Sequence, residues 1–512
     1  MRPSRLALGP LVAALLAPAV VVAPAQAAAA RVSSVAWEDA APSVAAGSLV
    51  AAHVTLAPGG RTEVRVVVGG ATVRTIPGGC SPSTVIRTRS SIDDARTTLT
   101  CDVDAKAALD LRVEVRVAAT GPVTLRVEES GAALPAPDRA VTPGTADTPR
   151  TLRLLSSPDF LNADVADLRR GPGSWNPKRS ANGTGKRYEK ALDTVLDDWQ
   201  AKEPAGVLVA GDMVNGRWGR DTRHTGNFGP VGNAAQRAEA ARRAAATYYP
   251  QYVERFRDHD LPLYAAPGDH EYGDNPWTVS KRRLAPVFRA AFARWFTRGR
   301  FKDHPSGVHA GTAYAFRPSP DVQVVSIDVF DITTKGARIR VDREQLRWLR
   351  TVLAKAQADG VQWTIVQGHT PILEPVRARG SSELRYPGGA RSALWKAFRT
   401  YGVDLYLAGE VHDTTASSRD GIVQLAHGGA FQFALTTYAL LDVHPDRLDI
   451  TLNDFDVRVR DGGRRLWETV RSGLKPDITV KPDPFTIGTL TIGADGSLSG
   501  RSGILTPYRS GG

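Results

Sequence analysis

Five short apolar runs in this chain each end directly in a turn that carries an acidic residue or a histidine, and this pattern restricts its fold more than any other. The runs are 152–155, 207–210, 263–266, 364–366 and 405–408. The turns after them read Ser157-Pro158-Asp159-Phe160-Leu161-Asn162-Ala163-Asp164, Gly211-Asp212-Met213-Val214-Asn215-Gly216-Arg217, Gly268-Asp269-His270-Glu271, Gly368-His369-Thr370-Pro371 and Gly409-Glu410-Val411-His412-Asp413. Short apolar runs bounded by glycine read as buried strands. One Gly-Asp is an ordinary turn and one His an ordinary core residue, but five such turns at five strand ends exceed what turn chemistry requires. Helix-period segments at 233–257 and 343–358 separate several runs, so the pattern predicts a layered α/β domain with titratable residues at the carboxyl ends of its strands. A hairpin-like pair, 438–443 and 448–452, closes it.

The order of the blocks resembles the calcineurin-like metallophosphoesterase superfamily, whose motifs run D-x-H, G-D, G-N-H-D/E, G-H and G-H-x-H. The resemblance spans 151–454 and includes Gln345-Leu346-Arg347-Trp348-Leu349, which looks like the family's helix before the G-H strand. It implies an α/β fold, the four-layer αββα metallophosphoesterase sandwich, and hydrolysis of phosphate mono- or diesters by a metal-bridging hydroxide. Carried over position by position, Asp212 bridges two metal ions, Asp159 and His412 bind the first, and Asp269, His369 and Glu410 bind the second. Such ions, about 3.5–4 Å apart, clamp the phosphoryl group and lower the pKa of the bridging water. His270 then protonates the leaving oxygen or steadies the charge on phosphorus.

Three positions depart from the family pattern. Leu161 stands where D-x-H has its His, Asp269 where Asn is usual, and Glu410 in place of the first His of G-H-x-H. Purple acid phosphatases also lack the first of these and supply a Tyr three residues after the bridging Asp; Asn215 holds that place here. An amide oxygen of Asn215 or Asn162 would complete the first metal site. Alternatively Asn215 orients His270, as an Asp at that offset does in the Ser/Thr phosphatases, or only shapes the turn before Gly216. Three carboxylates and one imidazole at the second site favour manganese or iron, divalent or trivalent, with zinc admissible.

Arg217 resembles an Arg that grips substrate phosphate, since its fork of donors suits two phosphoryl oxygens; a surface Arg is the alternative. His427, between the run 422–426 and Gly428-Gly429, is expected to line the substrate pocket. His224, Tyr272 and Trp277 flank the motifs, with packing the expected role of His224 and Trp277. Segments 215–230 and 272–311 are long interruptions of the kind that cover active sites.

The flanks set the context. Arg2 and Arg5 precede an apolar run, 6–22, and Ala25-Gln26-Ala27 offers small residues for cleavage, so 1–27 reads as a signal peptide and the protein as secreted or extracellular, with cell-surface association open. In an oxidising compartment Cys80 and Cys101, the two cysteines of the chain, read as a disulfide, and closing a loop of that size adds about 3 kcal/mol. Alternating segments at 48–56, 62–68, 98–103, 111–117 and 123–128 make 31–130 a small all-β sandwich that loosely resembles immunoglobulin-like modules. A proline-bearing stretch, 131–150, reads as a linker, and 455–512 as a β-like tail.

The net charge of +12 favours anionic partners such as nucleic acid or wall polymer, yet the arginines are scattered, so a solvated basic surface is the plainer reading. The resemblance implies a small phosphorylated substrate; wall or anionic polymer contact through the N-terminal domain stays open, with no specific nucleic acid partner and no membrane span after cleavage. No G-x-S-x-G elbow and no G-x-x-x-x-G-K-[ST] loop is present, which argues against serine nucleophile chemistry and against ATP as an energy source. A second reading keeps the scaffold without turnover, as a phosphate-, nucleotide- or cell-surface-binding protein, on the strength of Leu161 and Glu410.

Overall fold

Strand residues in the middle of the chain alternate between two apolar layers. Leu154, Leu208, Ile365, Leu405 and Leu407 lie in one, whereas Leu155, Val207, Val209, Val366 and Tyr406 lie in the other. A side-chain period of two gives each sheet two faces, so one layer collects residues of both sheets and the other packs against helices. These contacts come from a computed structural model that describes residues 32–38, 41–45, 49–75, 77, 80–82, 98–105, 107–117, 122–129, 132–142, 150–160, 186–214, 216, 228–429, 436–459 and 478–508. Residues 1–27, and with them the expected leader, lie outside this set.

One sheet has seven strands in the spatial order Leu263–Ala266, Val207–Ala210, Leu152–Ser156, Tyr438–Val443, Arg447–Asp454, Phe485–Gly493 and Leu498–Ser499. Its first three strands are parallel. The other has six, in the order Tyr314–Ser319, Val322–Ser326, Trp363–Gln367, Leu405–Ala408, Ile422–Ala426 and Thr415–Arg419, with the central four parallel. Parallel pairing brings the carboxyl ends of neighbouring strands to one edge. That is how turns more than 200 residues apart come together here.

The helices at Ala234–Asp258 and Arg343–Ala358 begin where the sequence supplies caps. The Asn233 side chain accepts from Gln236 N at 2.9 Å and completes a capping box, and Asp342 accepts from Gln345 N at 2.7 Å. Their buried faces join the helix-side layer through residues such as Tyr248, Tyr252, Leu349 and Leu353. No helix among the described residues is long and apolar enough to cross a membrane.

Two expected boundaries need correction. Phe485–Gly493 belongs to the seven-stranded sheet and not to a separate tail, because it pairs antiparallel with Arg447–Asp454 and buries Leu490 and Ile492. Its alternation fits that role, and without it Arg447–Asp454 would be an open edge. The expected linker 131–150 likewise contains strands. Ala132–Pro135 pairs with Thr124–Glu129 at the sheet margin, a position proline tolerates, and Ala140–Thr142 pairs with Ser43–Ala45. Nearer the N-terminus a four-stranded and a five-stranded sheet share an apolar layer built from Val54, Val64, Val66, Val113 and Val115. Cys80 and Cys101 face each other across two strands of the larger sheet and are bridged.

Candidate metal centre

The turns after five of the seven parallel strands meet along the seam between the two sheets. Cross-sheet hydrogen bonds hold the seam closed: His369 Nδ1 donates to the carbonyl of Ala210 at 2.9 Å, and the backbone N–H of Glu410 donates to Asp159 Oδ1 at 2.9 Å. Asp159, Asp212 and His412 present ligand-type atoms within 4.8 Å of one another, and so do Asp212, Asp269 and His369. Asp212 is common to both groups. Glu410 joins the second through Oε2, 3.3 Å from His369 Nε2, beside Asp212 Oδ2 at 3.4 Å and Asp269 Oδ1 at 3.2 Å.

Backbone conformation aims these side chains. Asp159, Asp212, Glu410 and His412 all have positive φ, between 51° and 71°, where a residue with a Cβ pays a steric penalty of about 1–3 kcal/mol. The surrounding structure holds them there. Gly211 and Gly268 explain the glycine before each Asp, since a Cβ on them would collide with His369 Nδ1 and with Asp212 Oδ1.

Burial then makes the cluster electrostatically demanding. Asp159, Asp212, Asp269, His369, Glu410 and His412 are 0–6% exposed. Burial pushes Asp159 up to about 8 and Asp212 well above the carboxylate range, with neighbouring carboxylates adding to both. Burial opposes the ionised Asp269 as well, but His270 and His369 hold it low. Burial pulls His412 down to about 4, leaving its imidazole neutral with a lone pair to offer. His369 is drawn down by burial but driven well above its ordinary value by the carboxylates around it. Four acids against so few cationic side chains, with Asp159 Oδ2, Asp269 Oδ1 and His369 Nε2 buried without hydrogen-bond partners, is a set that fits divalent or trivalent cations. The Nδ1–H of His369 is committed to Ala210, which turns Nε2 toward the cluster.

His270 sits at the rim. Its Nε2 is 3.8 Å from Asp212 Oδ2 and 3.9 Å from Asp274 Oδ1, and its side chain is 15% exposed. Asp269, His270 and Asp274 form a third group of ligand-type atoms.

Other expected site residues fall elsewhere. His427, expected to line the substrate pocket, is closed off from solvent and stands outside all three groups; its Nε2 lies 2.9 Å from Ser156 Oγ, and burial pulls it down to about 3. Its Nδ1 is buried without a hydrogen-bond partner, and the glycines directly after it lie against Asp159 and His412. Tyr272 turns away from the cluster to donate to Asp328 Oδ2 at 2.5 Å, and Trp277 packs against Phe330 with ring centroids 5.5 Å apart. Asn215, Arg217, His224, Leu161 and Asn162 lie outside the described residues.

Sequence reasoning left Glu271 without a role. Its carboxylate accepts three backbone N–H groups, from Gly268 at 2.6 Å, Asp212 at 2.9 Å and Val214 at 3.2 Å, so it ties the second turn to the third. The signal was its place directly after His270. Asn275 and Ser382 also reach the cluster, and no local pattern marks either.

No family model matches this sequence. No curated protein matches it. Among solved structures, a dimetal phosphatase from Danio rerio is 14% identical over 59% of this chain and 96% of its own, with a TM-score of 0.38. A structure of PhoD is 11% identical and covers 92% of each chain, with a TM-score of 0.40. GAP50, the anchor in the inner membrane complex of Plasmodium, is 12% identical over 60% of this chain and 85% of its own, with a TM-score of 0.35.

Proposed function

We propose that this chain is a calcineurin-like metallophosphoesterase, a secreted two-metal enzyme that hydrolyses phosphate mono- or diesters. The observation that carries the reading is Asp212, whose carboxylate belongs to two ligand groups at once. We read the two sheets and their helices as the four-layer αββα sandwich, and the N-terminal sheets as an immunoglobulin-like module.

Cations held by these groups would supply Lewis acidity to the phosphoryl oxygens and lower the pKa of water at the site. Asp159, Asp212 and His412 would hold one, and Asp212, Asp269, His369 and Glu410 the other. Manganese or iron suits this oxygen-rich set better than zinc. Asn215 remains our candidate for completing the first position and Arg217 for binding substrate phosphate. His270 supplies the proton at Nε2: it alone among the clustered residues combines partial solvent exposure with carboxylates on two sides, so it can pass a proton to a departing alkoxide and recover one from water.

The test is hydrolysis of nitrophenyl phosphate, bis-nitrophenyl phosphate and a nucleotide panel by protein supplied with manganese, iron, zinc or calcium. Turnover that disappears in Asp212→Asn supports the reading. Binding of phosphate or nucleotide without product would favour the non-catalytic scaffold, the reading that Leu161 and Glu410 motivate. Export rests on the basic, apolar and small-residue order of 1–27. Mass spectrometry of protein from the culture medium should find an N-terminus near Ala28, and intact 1–27 would overturn it. Wall or anionic polymer contact is assigned to the N-terminal β unit; unchanged sedimentation with cell walls after deletion of 28–150 would remove it.

A further inference from the structure

Glu410 is where this chain departs from the G-H-x-H motif it resembles, and its carboxylate has partners that an imidazole would not use. Glu410 Oε1 accepts from Ser382 Oγ at 2.7 Å and from Leu384 N at 3.0 Å. Ser382 Oγ in turn accepts from Asn275 Nδ2 at 2.7 Å, and the other hydrogen of that amide goes to Asp269 Oδ2 at 2.8 Å. Every proton in this chain has one place: the amide has two to give, the hydroxyl takes one and gives one, and both ends are carboxylates. Two acids from different sheets are thus coupled through Asn275 and Ser382.

The consequence lies in the oxygens left over. Asp269 Oδ1 and Glu410 Oε2 lie 3.2 Å and 3.3 Å from His369 Nε2, and Asp269 Oδ1 is buried without a hydrogen-bond partner. Each carboxylate therefore turns one oxygen inward while protein donors occupy the other. We propose that Ser382 and Asn275 are positioning residues that enforce this single-oxygen presentation, and so set the second cation position for a small six-coordinate ion such as Mn2+ against the larger Ca2+. Calcium gathers six to eight oxygens and readily takes a carboxylate through both, which a tied Oε1 forbids. The inference rests on the metal-site reading above.

Ser382 lies on a strap between Trp363–Gln367 and the helix Ala393–Thr400. The strap is fastened independently of its hydroxyl, by Arg379 N to the carbonyl of Val411 at 2.8 Å and Tyr386 N to that of Pro371 at 2.9 Å. Ser382→Ala should therefore leave the fold in place.

The experiment is titration of the full chain, stripped of metal by chelation, with Mn2+ and separately with Ca2+, by calorimetry without substrate. Wild type should bind two Mn2+. Ser382→Ala and Asn275→Ala should each weaken one of the two Mn2+ sites about 10- to 100-fold and leave the other unchanged, the cost usual for an outer partner of a metal ligand. Ca2+ should weaken less, so the Mn2+/Ca2+ preference falls, and Ser382→Thr, which keeps the hydroxyl, should restore it. The proposal is overturned if both variants bind both ions as wild type does, or if they lose the two ions equally. Should wild type itself bind neither ion, the metal-site reading fails first and takes this proposal with it. Melting temperatures of the metal-free variants, expected to match wild type, separate positioning from a fold defect.

Discussion

Glu271 Oε2 accepts the backbone N–H of Asp212 at 2.9 Å, so the residue shared by both ligand groups is held by a carboxylate that takes no part in them. The same oxygen accepts from Gly268 N. In Glu271→Gln an amide NH2 replaces one of the two oxygens that accept these N–H groups, leaving at least one buried donor unsatisfied at about 1–3 kcal/mol. We expect the urea midpoint to fall by a corresponding amount and Mn2+ affinity to drop with it. Unchanged stability and unchanged affinity would refute the cradle.

Asp212→Asn removes the shared anion while keeping the side chain's shape. Its Oδ1 accepts His270 N at 3.1 Å, a contact an amide oxygen can keep, so the fold should survive. Metal stoichiometry should fall from two to one or none, and phosphoesterase turnover by about 10²–10³-fold or more, the scale on which loss of a transition-state charge partner acts. Atomic absorption and a nitrophenyl phosphate assay check both.

Metal binding should depend on pH. Asp159, pushed up to about 8, and Asp212, raised with it, carry protons in the metal-free cluster that a cation must displace. Affinity therefore rises as pH approaches 8 and falls below it. Displacement of one proton weakens apparent affinity about tenfold per pH unit below that value. Calorimetry in buffers of different ionisation enthalpy should register proton release, and binding indifferent to pH between 6 and 8 would contradict it.

A buried pair away from the cluster carries its own pH signature. Burial pulls His309 down, but Asp328, 3.0 Å from its Nδ1, outweighs that and holds the imidazole above 6.5. A raised folded pKa stabilises fully below the unfolded value and loses that contribution as pH rises through the folded one. Wild-type stability from urea melts should accordingly fall on the alkaline side of 6.5, and His309→Gln should flatten that decline. Asp328→Asn, which leaves His309 only the more distant Asp342, 3.6 Å from Nε2, should lower stability by up to about 3–5 kcal/mol.

Ending the chain at Val459 tests the corrected boundary. That truncation removes Phe485–Gly493, opens the edge of Arg447–Asp454, and takes away Leu490, Ile492 and Leu505, each worth about 1.5–3 kcal/mol on burial. The sum approaches the whole stability of a domain. Insoluble protein, or protein without a cooperative melt, is the expected result, and a soluble, sharply melting product would show the strand to be dispensable.

The strands around the site were legible because each is a short apolar run cut off by glycine, and five expected runs appear at or within a residue of their predicted bounds. The ligand turns were legible for the same reason, since Asp212, Asp269 and His369 each directly follow a glycine. Where the reading failed, the residues lacked local periodic context. Phe485–Gly493 looked like tail because its partner strand lies across a gap in sequence, and Ala132–Pro135 looked like linker because proline argues against a central strand though not against an edge. His427 carries the same strand-end signature as the cluster members, and it is fully buried with Nε2 2.9 Å from Ser156 Oγ.

The amino-acid order by itself determined which side chains stand at strand ends, because hydrophobic period and turn glycines are local properties of the chain. Only the tertiary structure decided which of those ends meet. Parallel pairing brings ends to one edge, two sheets facing each other close the seam, and positive φ at Asp159, Asp212, Glu410 and His412 aims carboxylate and imidazole inward at a steric cost that packing alone can sustain. The hydrogen bonds from Glu271, Asn275 and Ser382 belong to the same level, since each spans loops whose proximity no local interaction encodes.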